Sequence, residues 1–264
     1  MEKSKWKSFY KRAITTIVLA PAAVGCLLSG ENVVELLALA VAALLAWEWA
    51  KMQKSTDAAF LALYYLLASA VAIMFDAVWL IAGVIVGLSA VAYVLKRREK
   101  ELLLKLLGIP YIAIGIGSIM ALYREYGVNI VLWYVALVWA VDIGGYLFGS
   151  TLKGPKLAPR ISPNKTWAGL FGGMLLAVLV SVGALWCAGE IKYVANAVIL
   201  AAILTVIAQI GDLIESAIKR HLGLKDSSNL IPGHGGVFDR VDGLIFAAPF
   251  AYGLLMLLKL HFCV

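Results

Sequence analysis

Soft metal ligands are scarce in this chain of 264 residues, which holds three cysteines and three histidines. Cys26, Cys187 and Cys263 stand far apart in apolar surroundings, which excludes a CxxC redox pair and a zinc site. Free, buried thiols are the expected state. The polar stretches contain no Walker-type phosphate loop, no GxGxxG and no GxSxG, so the common nucleotide-binding turns and the serine-hydrolase elbow are excluded. Tandem repeats and low-complexity runs are absent, as are the roughly ten-residue alternating segments of a transmembrane barrel. What the chain has in excess is apolar residue content: 62% hydrophobic, with a mean hydropathy of +0.91. Soluble domains hold about 45–50%. The expectation is an all-α, polytopic integral membrane protein.

A helix crossing about 30 Å of hydrocarbon needs about 20 residues. About nine such spans are expected, over 13–29, 32–50, 58–75, 77–95, 103–122, 128–149, 167–188, 193–211 and 243–262. The first follows the basic stretch Lys3 to Arg12, but it lacks a sharp small-residue cleavage site and the next span follows closely. It is therefore read as an uncleaved helix rather than a signal peptide. With the N-terminus in the cytoplasm and nine alternating spans, only Arg124, Lys192 and Lys259 of the 23 basic residues fall on the far side. The net charge of +7 then reads as topogenic and lipid-facing, with no nucleic-acid partner. Short connections argue for one membrane domain over 1–264. Its spans up to residue 127 pack and face lipid, and residues 128–264 carry the chemistry.

Polar residues thicken in three blocks of that second half. In "DIGGYLFGSTLKGPKLAPRISPNKTWAG" (142–169), Asp142 ends an apolar run, and a carboxylate at membrane depth is costly enough to suggest function. Ser162, Lys165 and Thr166 then stand where a helix begins, a good setting for a phosphate. The bland alternative is a solvated topogenic loop in which Ser162 or Asn164 caps that helix. In "QIGDLIESAIKRHLGLKD" (209–226), Asp212, Glu215, Ser216 and Lys219 fall on one helical face, with Arg220 beside it and Lys225 following. Acids so placed hold a hard cation such as Mg²⁺, and bases hold the phosphate oxygens that the cation leaves. The alternative is a helix end with internal ion pairs. In "IPGHGGVFDRVDG" (231–243), Asp239 and Asp242 share a face if a helix begins near Phe238. Gly233, Gly235 and Gly236 let the backbone approach a ligand closely, and His234 and Arg240 stand beside them as polar partners. Together the blocks suit Mg²⁺-dependent transfer on a lipid phosphate at the membrane surface.

The stretch "SAIKRHLGLKDSSNLIPGHGGVFDRVD", Ser216 to Asp242, resembles the signature of the phosphatidate cytidylyltransferases, or CDP-diacylglycerol synthases. That pattern begins S-x-x-K-R, continues through K-D and P-G-H-G-G, and ends D-R-x-D. "DIGGYLFG" and "ISPNKTWAG" resemble further segments of the family. Gly145 stands where alanine is common, and Asn164 where a lysine is frequent, which leaves Lys165 to serve alone. The resemblance implies reaction of phosphatidate with CTP to give CDP-diacylglycerol and pyrophosphate, with Mg²⁺, a many-helix fold and a homodimer. It implies Asp212 and Asp239 as metal ligands, with Glu215 beside them. Lys165, Lys219, Arg220, Lys225 and His234 become the polar pocket.

A phosphate monoester has a second pKa of about 6, so the lipid nucleophile is largely dianionic at neutral pH and needs little general-base help. The obstacle is repulsion between two anions, which positioning and charge neutralisation must overcome. Asp142, Glu215 and Asp242 are expected to support or extend the metal set, with room for a second cation. Ser162, Thr166, Ser216, Arg240 and the backbone at Gly235 and Gly236 are expected to hold substrate phosphates. The setting implied is a bacterial inner membrane with the site facing the cytoplasm. Rival readings are a CTP-dependent polyprenol kinase and a transporter, although inverted repeats with paired helix breaks, frequent in transporters, are not evident. A scaffold leaves the polar clustering unexplained.

Overall fold

The computed structural model describes residues 18–53, 58–74, 102–231 and 235–258. The expected span 77–95, the basic stretch Lys3 to Arg12, Cys263 and His234 lie outside the described residues. Eight helices run in chain order: α1 (Val18–Leu28), α2 (Glu31–Met52), α3 (Ala58–Met74), α4 (Leu102–Tyr126), α5 (Val128–Thr151), α6 (Trp167–Ala188), α7 (Val194–His221) and α8 (Phe238–Leu258). Between α5 and α6 lies a small antiparallel hairpin, β1 (Lys156–Ala158) and β2 (Ser162–Thr166). The hairpin and an isolated antiparallel bridge between Ile231 and Gly235 are the additions to the all-α expectation among the described residues. Six helices there, α2 and α4 to α8, are long and apolar enough to cross a membrane. The chain is an integral membrane protein. Leu36, Phe171, Trp186 and Leu257 are exposed on these helices, a surface that suits lipid rather than water.

Two expected boundaries move. The span expected to end at 211 continues as α7 to His221. At 1.5 Å per residue its 28 residues measure about 42 Å, more than the hydrocarbon layer, so its polar end projects beyond that layer. The helix that carries the span expected from 243 begins at Phe238, the start on which a shared face for Asp239 and Asp242 depended, and places both in its first turn and a half.

The described residues divide between two compact units. One lies within Met1–Met120 and Leu222–Val241, the other within Ala121–His221 and Asp242–Val264. This division is one of packing and does not bear on the division of roles expected at 127/128. In the first unit Trp49 Nε1 donates to Leu104 O (3.1 Å), and Tyr65 OH donates to Lys105 O (2.7 Å). The Trp49 ring stacks on Tyr111 at 5.8 Å between centroids.

In the second unit α5 and α6 meet backbone to backbone. A Cβ on Gly144 would lie 2.5 Å from Gly172 O, and one on Gly173 would lie 2.7 Å from Val141 O. Only hydrogen at these positions allows such an approach, the small-residue contact on which membrane helices rely. Further along the same pair, Trp133 Nε1 donates to Ser181 Oγ (3.0 Å), which donates to Ala177 O (2.8 Å). The buried Tyr134 hydroxyl donates to Leu244 O, tying α5 to α8. Helices α7 and α8 pack on glycine too. A Cβ on Gly211 would lie 2.5 Å from Phe246 Cβ, and one on Gly243 would lie 3.2 Å from Ala208 O.

Candidate active site

The two glycines at the α7–α8 contact are neighbours in sequence of acids, Gly211 of Asp212 and Gly243 of Asp242. Close packing of the helices therefore brings carboxylates together. Asp212, Glu215 and Asp242 each offer an oxygen within 4.8 Å of the others. Asp212 and Asp242 are half-buried and Glu215 is buried. Asp142, on the exposed side of α5, acts electrostatically on Asp242 along with Asp212 and Glu215.

Two lysines answer this negative charge. Lys165 Nζ lies 2.5 Å from Asp212 Oδ2, and Lys219 Nζ lies 2.6 Å from Glu215 Oε2, one helical turn on. Both Lys219 and Glu215 are buried, so the ion-paired helix end weighed from the sequence is present beside the acidic cluster. Ser216 Oγ donates to Asp212 Oδ1 (3.3 Å). The three acids lie close enough together to share one divalent cation. The donors are all oxygen, which fits a hard ion such as Mg²⁺ and gives zinc none of its preferred nitrogen or sulfur.

Lys165 reaches Asp212 from β2. Its strand pairs antiparallel with β1, Lys156 opposite Thr166 and Ala158 opposite Ser162, and Trp167 N donates to Pro155 O (3.1 Å). Helix α6 starts only at Trp167, and its cap is Thr166, whose hydroxyl accepts from Gly169 N (3.0 Å). Neither Ser162 nor Asn164 fills that place, because both lie in the extended strand. Thr166 is buried, and Ser162 opens the strand half-buried. Arg220, Lys225 and Arg240 are exposed.

In the first unit, residues 227–228 and 236–238 are held by two carboxylates. Asp239 Oδ2 accepts from Gly236 N (2.8 Å), Ser227 N (3.0 Å) and Ser227 Oγ (3.0 Å). Glu48, on α2, accepts from Ser228 Oγ, Ser227 Oγ, Val237 N and Phe238 N. Gly235 has φ +86°, and a Cβ there would lie 2.6 Å from Asp239 Oδ2, so its backbone needs glycine on both counts. Sequence reasoning missed Glu48. Its signal was present, since the one acid in the apolar run 36–50 meets the rule that singled out Asp142.

The chain belongs to the cytidylyltransferase family, whose model matches residues 10–258. It is 35% identical over 260 residues to a phosphatidate cytidylyltransferase of Brucella suis biovar 1 (strain 1330), covering 91% of each chain. A phosphatidate cytidylyltransferase of Bacillus subtilis (strain 168) is 42% identical over 134 residues, 50% of this chain and 49% of the relative. One of Staphylococcus aureus (strain COL) is 39% identical over 146 residues, 54% of this chain and 55% of that one. The chain is accordingly a nucleotidyltransferase enzyme.

Proposed function

We propose that this enzyme transfers CMP from CTP to phosphatidate, releasing pyrophosphate and forming CDP-diacylglycerol, with Mg²⁺ held by Asp212, Glu215 and Asp242. The observation that carries the reading is the meeting of those three acids with Lys165 and Lys219 at the polar end of a 28-residue helix. Family membership and the names of the relatives support the substrates. The lopsided distribution of basic residues supports a cytoplasmic site at the inner face of the membrane.

The lipid phosphate attacks the α-phosphorus of CTP, a bond to oxygen forms there, and the bond to the β-phosphate oxygen breaks. Bound Mg²⁺ supplies charge neutralisation at the α-phosphate and the leaving pyrophosphate. The chain's own residues do the rest. Lys165 and Lys219 are already placed by ion pairs, so little ordering remains to be done when a phosphate replaces the carboxylate as their partner. Arg220 and Lys225, exposed at the end of α7 and after it, screen the approaching anions. Ser216 offers a hydroxyl to phosphate oxygens, and Asp142 extends the acidic cluster. The dianionic nucleophile needs no strong base, which agrees with the missing catalytic dyad.

The test is purified protein with phosphatidate and CTP labelled at the α or γ position. The expected result is α-label in the lipid, pyrophosphate released in equal amount, and loss of both when EDTA removes Mg²⁺. γ-Label in the lipid would identify a kinase instead. Uptake into sealed vesicles without either product would identify a transporter.

A further inference from the structure

Glu48 has no part in the chemistry just described, yet it is fully buried near the end of α2, between Trp47 and Trp49 in sequence. A carboxylate withdrawn from water is costly unless donors fill its lone pairs. Here four do. Ser228 Oγ (2.5 Å) and Val237 N (2.9 Å) donate to Oε1, while Ser227 Oγ (3.2 Å) and Phe238 N (2.7 Å) donate to Oε2. The two amides come from the start of α8, where a helix leaves its first N–H groups without partners of its own. A distant helix thus caps α8 with a side chain. Gly236 closes the arrangement, because a Cβ there would lie 1.9 Å from Ser227 Oγ and 2.5 Å from Glu48 Oε1. The Phe238 ring packs on Trp49 and on Tyr111, each at 5.4 Å.

We propose that Glu48 is a positioning residue for nucleotidyl transfer. It fixes Ser227, Ser228 and the first turn of α8, and so holds the first-turn acid Asp239, which accepts from Ser227 and Gly236, in one arrangement for the nucleotide. The inference rests on the reading of this stretch as nucleotide-binding. Size alone does not explain the residue. Glutamine would fit, but its NH₂ group would have to face the N–H of Val237 or of Phe238, and neither can accept.

The experiment compares full-length wild type with Glu48→Gln in detergent by CTP kinetics, thermal midpoint and hydrogen exchange at residues 235–238. The expected result is a rise of about tenfold or more in KM for CTP. Exchange at Val237 and Phe238 should be faster and the midpoint should fall, because an NH₂ group then opposes one of those amides, while KM for phosphatidate stays close to wild type. Unchanged CTP kinetics and exchange overturn the proposal. So does a lowered midpoint with KM unchanged, which marks a purely structural acid. Should Glu48→Gln fail to fold, Ser228→Ala removes one donor and should raise KM for CTP about threefold; no rise there overturns the proposal equally. A wild type that moves no CMP from CTP counts against the function itself. Turnover in wild type with an indifferent Glu48→Gln counts only against the positioning role.

Discussion

Two sets of carboxylates differ in what surrounds them. Glu48 and Asp239 are met by N–H and O–H donors: Ser228 Oγ and two amides on Glu48, the amides of Ser227 and Gly236 on Asp239, and the Ser227 hydroxyl shared between them. Asp212, Glu215 and Asp242 are met chiefly by one another and by two ammonium groups, with one neutral donor on Asp212 (Ser216 Oγ) and one on Asp242 (Gly243 N). The first set is filled by its own chain and orders backbone. The second holds repulsion that a cation or phosphate exchange can relieve, and so stores the capacity for chemistry. Neighbours, rather than a place in a motif, distinguish the two. The D-R-x-D ending makes the point, since its first acid belongs to one set and its second to the other.

Substituting those two acids should break or sharpen the comparison most strongly. Asp242→Asn is expected to lower kcat by about 10³-fold, because it removes a ligand from a cation that contributes several kcal/mol to the transition state. Its thermal midpoint without Mg²⁺ should be unchanged or raised, since one member of a repelling cluster becomes neutral. Asp239→Asn should also lose turnover, as the resemblance to the family implies, but its midpoint should fall with or without Mg²⁺. An asparagine has one acceptor oxygen for the three donors from Ser227 and Gly236, and its NH₂ group opposes them. Equal midpoints for the two variants would dissolve the distinction.

The acidic cluster was legible in the sequence to the extent that periodicity could carry it. The spacing of Asp212, Glu215, Ser216 and Lys219 placed them on one face, and α7 has that face. What brought Asp242 to it was less legible, because it depends on Gly211 and Gly243 letting two helices close; a glycine beside an acid carries that meaning only when its partner helix is known. Thr166 was read as a substrate hydroxyl rather than a cap because the strand before it has no apolar alternation to betray it. Glu48 was passed over because attention followed the density of polar residues, and a buried acid works alone in sequence while its donors lie about 180 residues away.

Lys165→Ala is the next variant in order of effect. It removes the ammonium 2.5 Å from Asp212, a charge-assisted contact of about 1.5–3 kcal/mol, and should lower kcat/KM about 10- to 100-fold. Lys165→Arg should restore part of the loss, because a fork of donors keeps the charge but not the point geometry. Unchanged kinetics with both substrates would remove the strand β2 from the site.

Thr166→Ala should have the smallest effect and is the finest probe of the contrast between saturated and reactive groups. Its hydroxyl is buried and already accepts from Gly169 N, so its loss should cost about 1 kcal/mol of stability, as for other helix caps. For a chain of this length that is a fall of about 2–4 °C in thermal midpoint. Turnover should remain within about twofold of wild type, because Lys165 is still held by the pairing of β1 with β2 and by its ion pair with Asp212. Thr166→Ser, which keeps the acceptor, should recover the midpoint. If Thr166→Ala instead loses turnover tenfold while keeping its midpoint, the hydroxyl touches phosphate during the reaction, and a saturated group in the resting fold has become a reactive one.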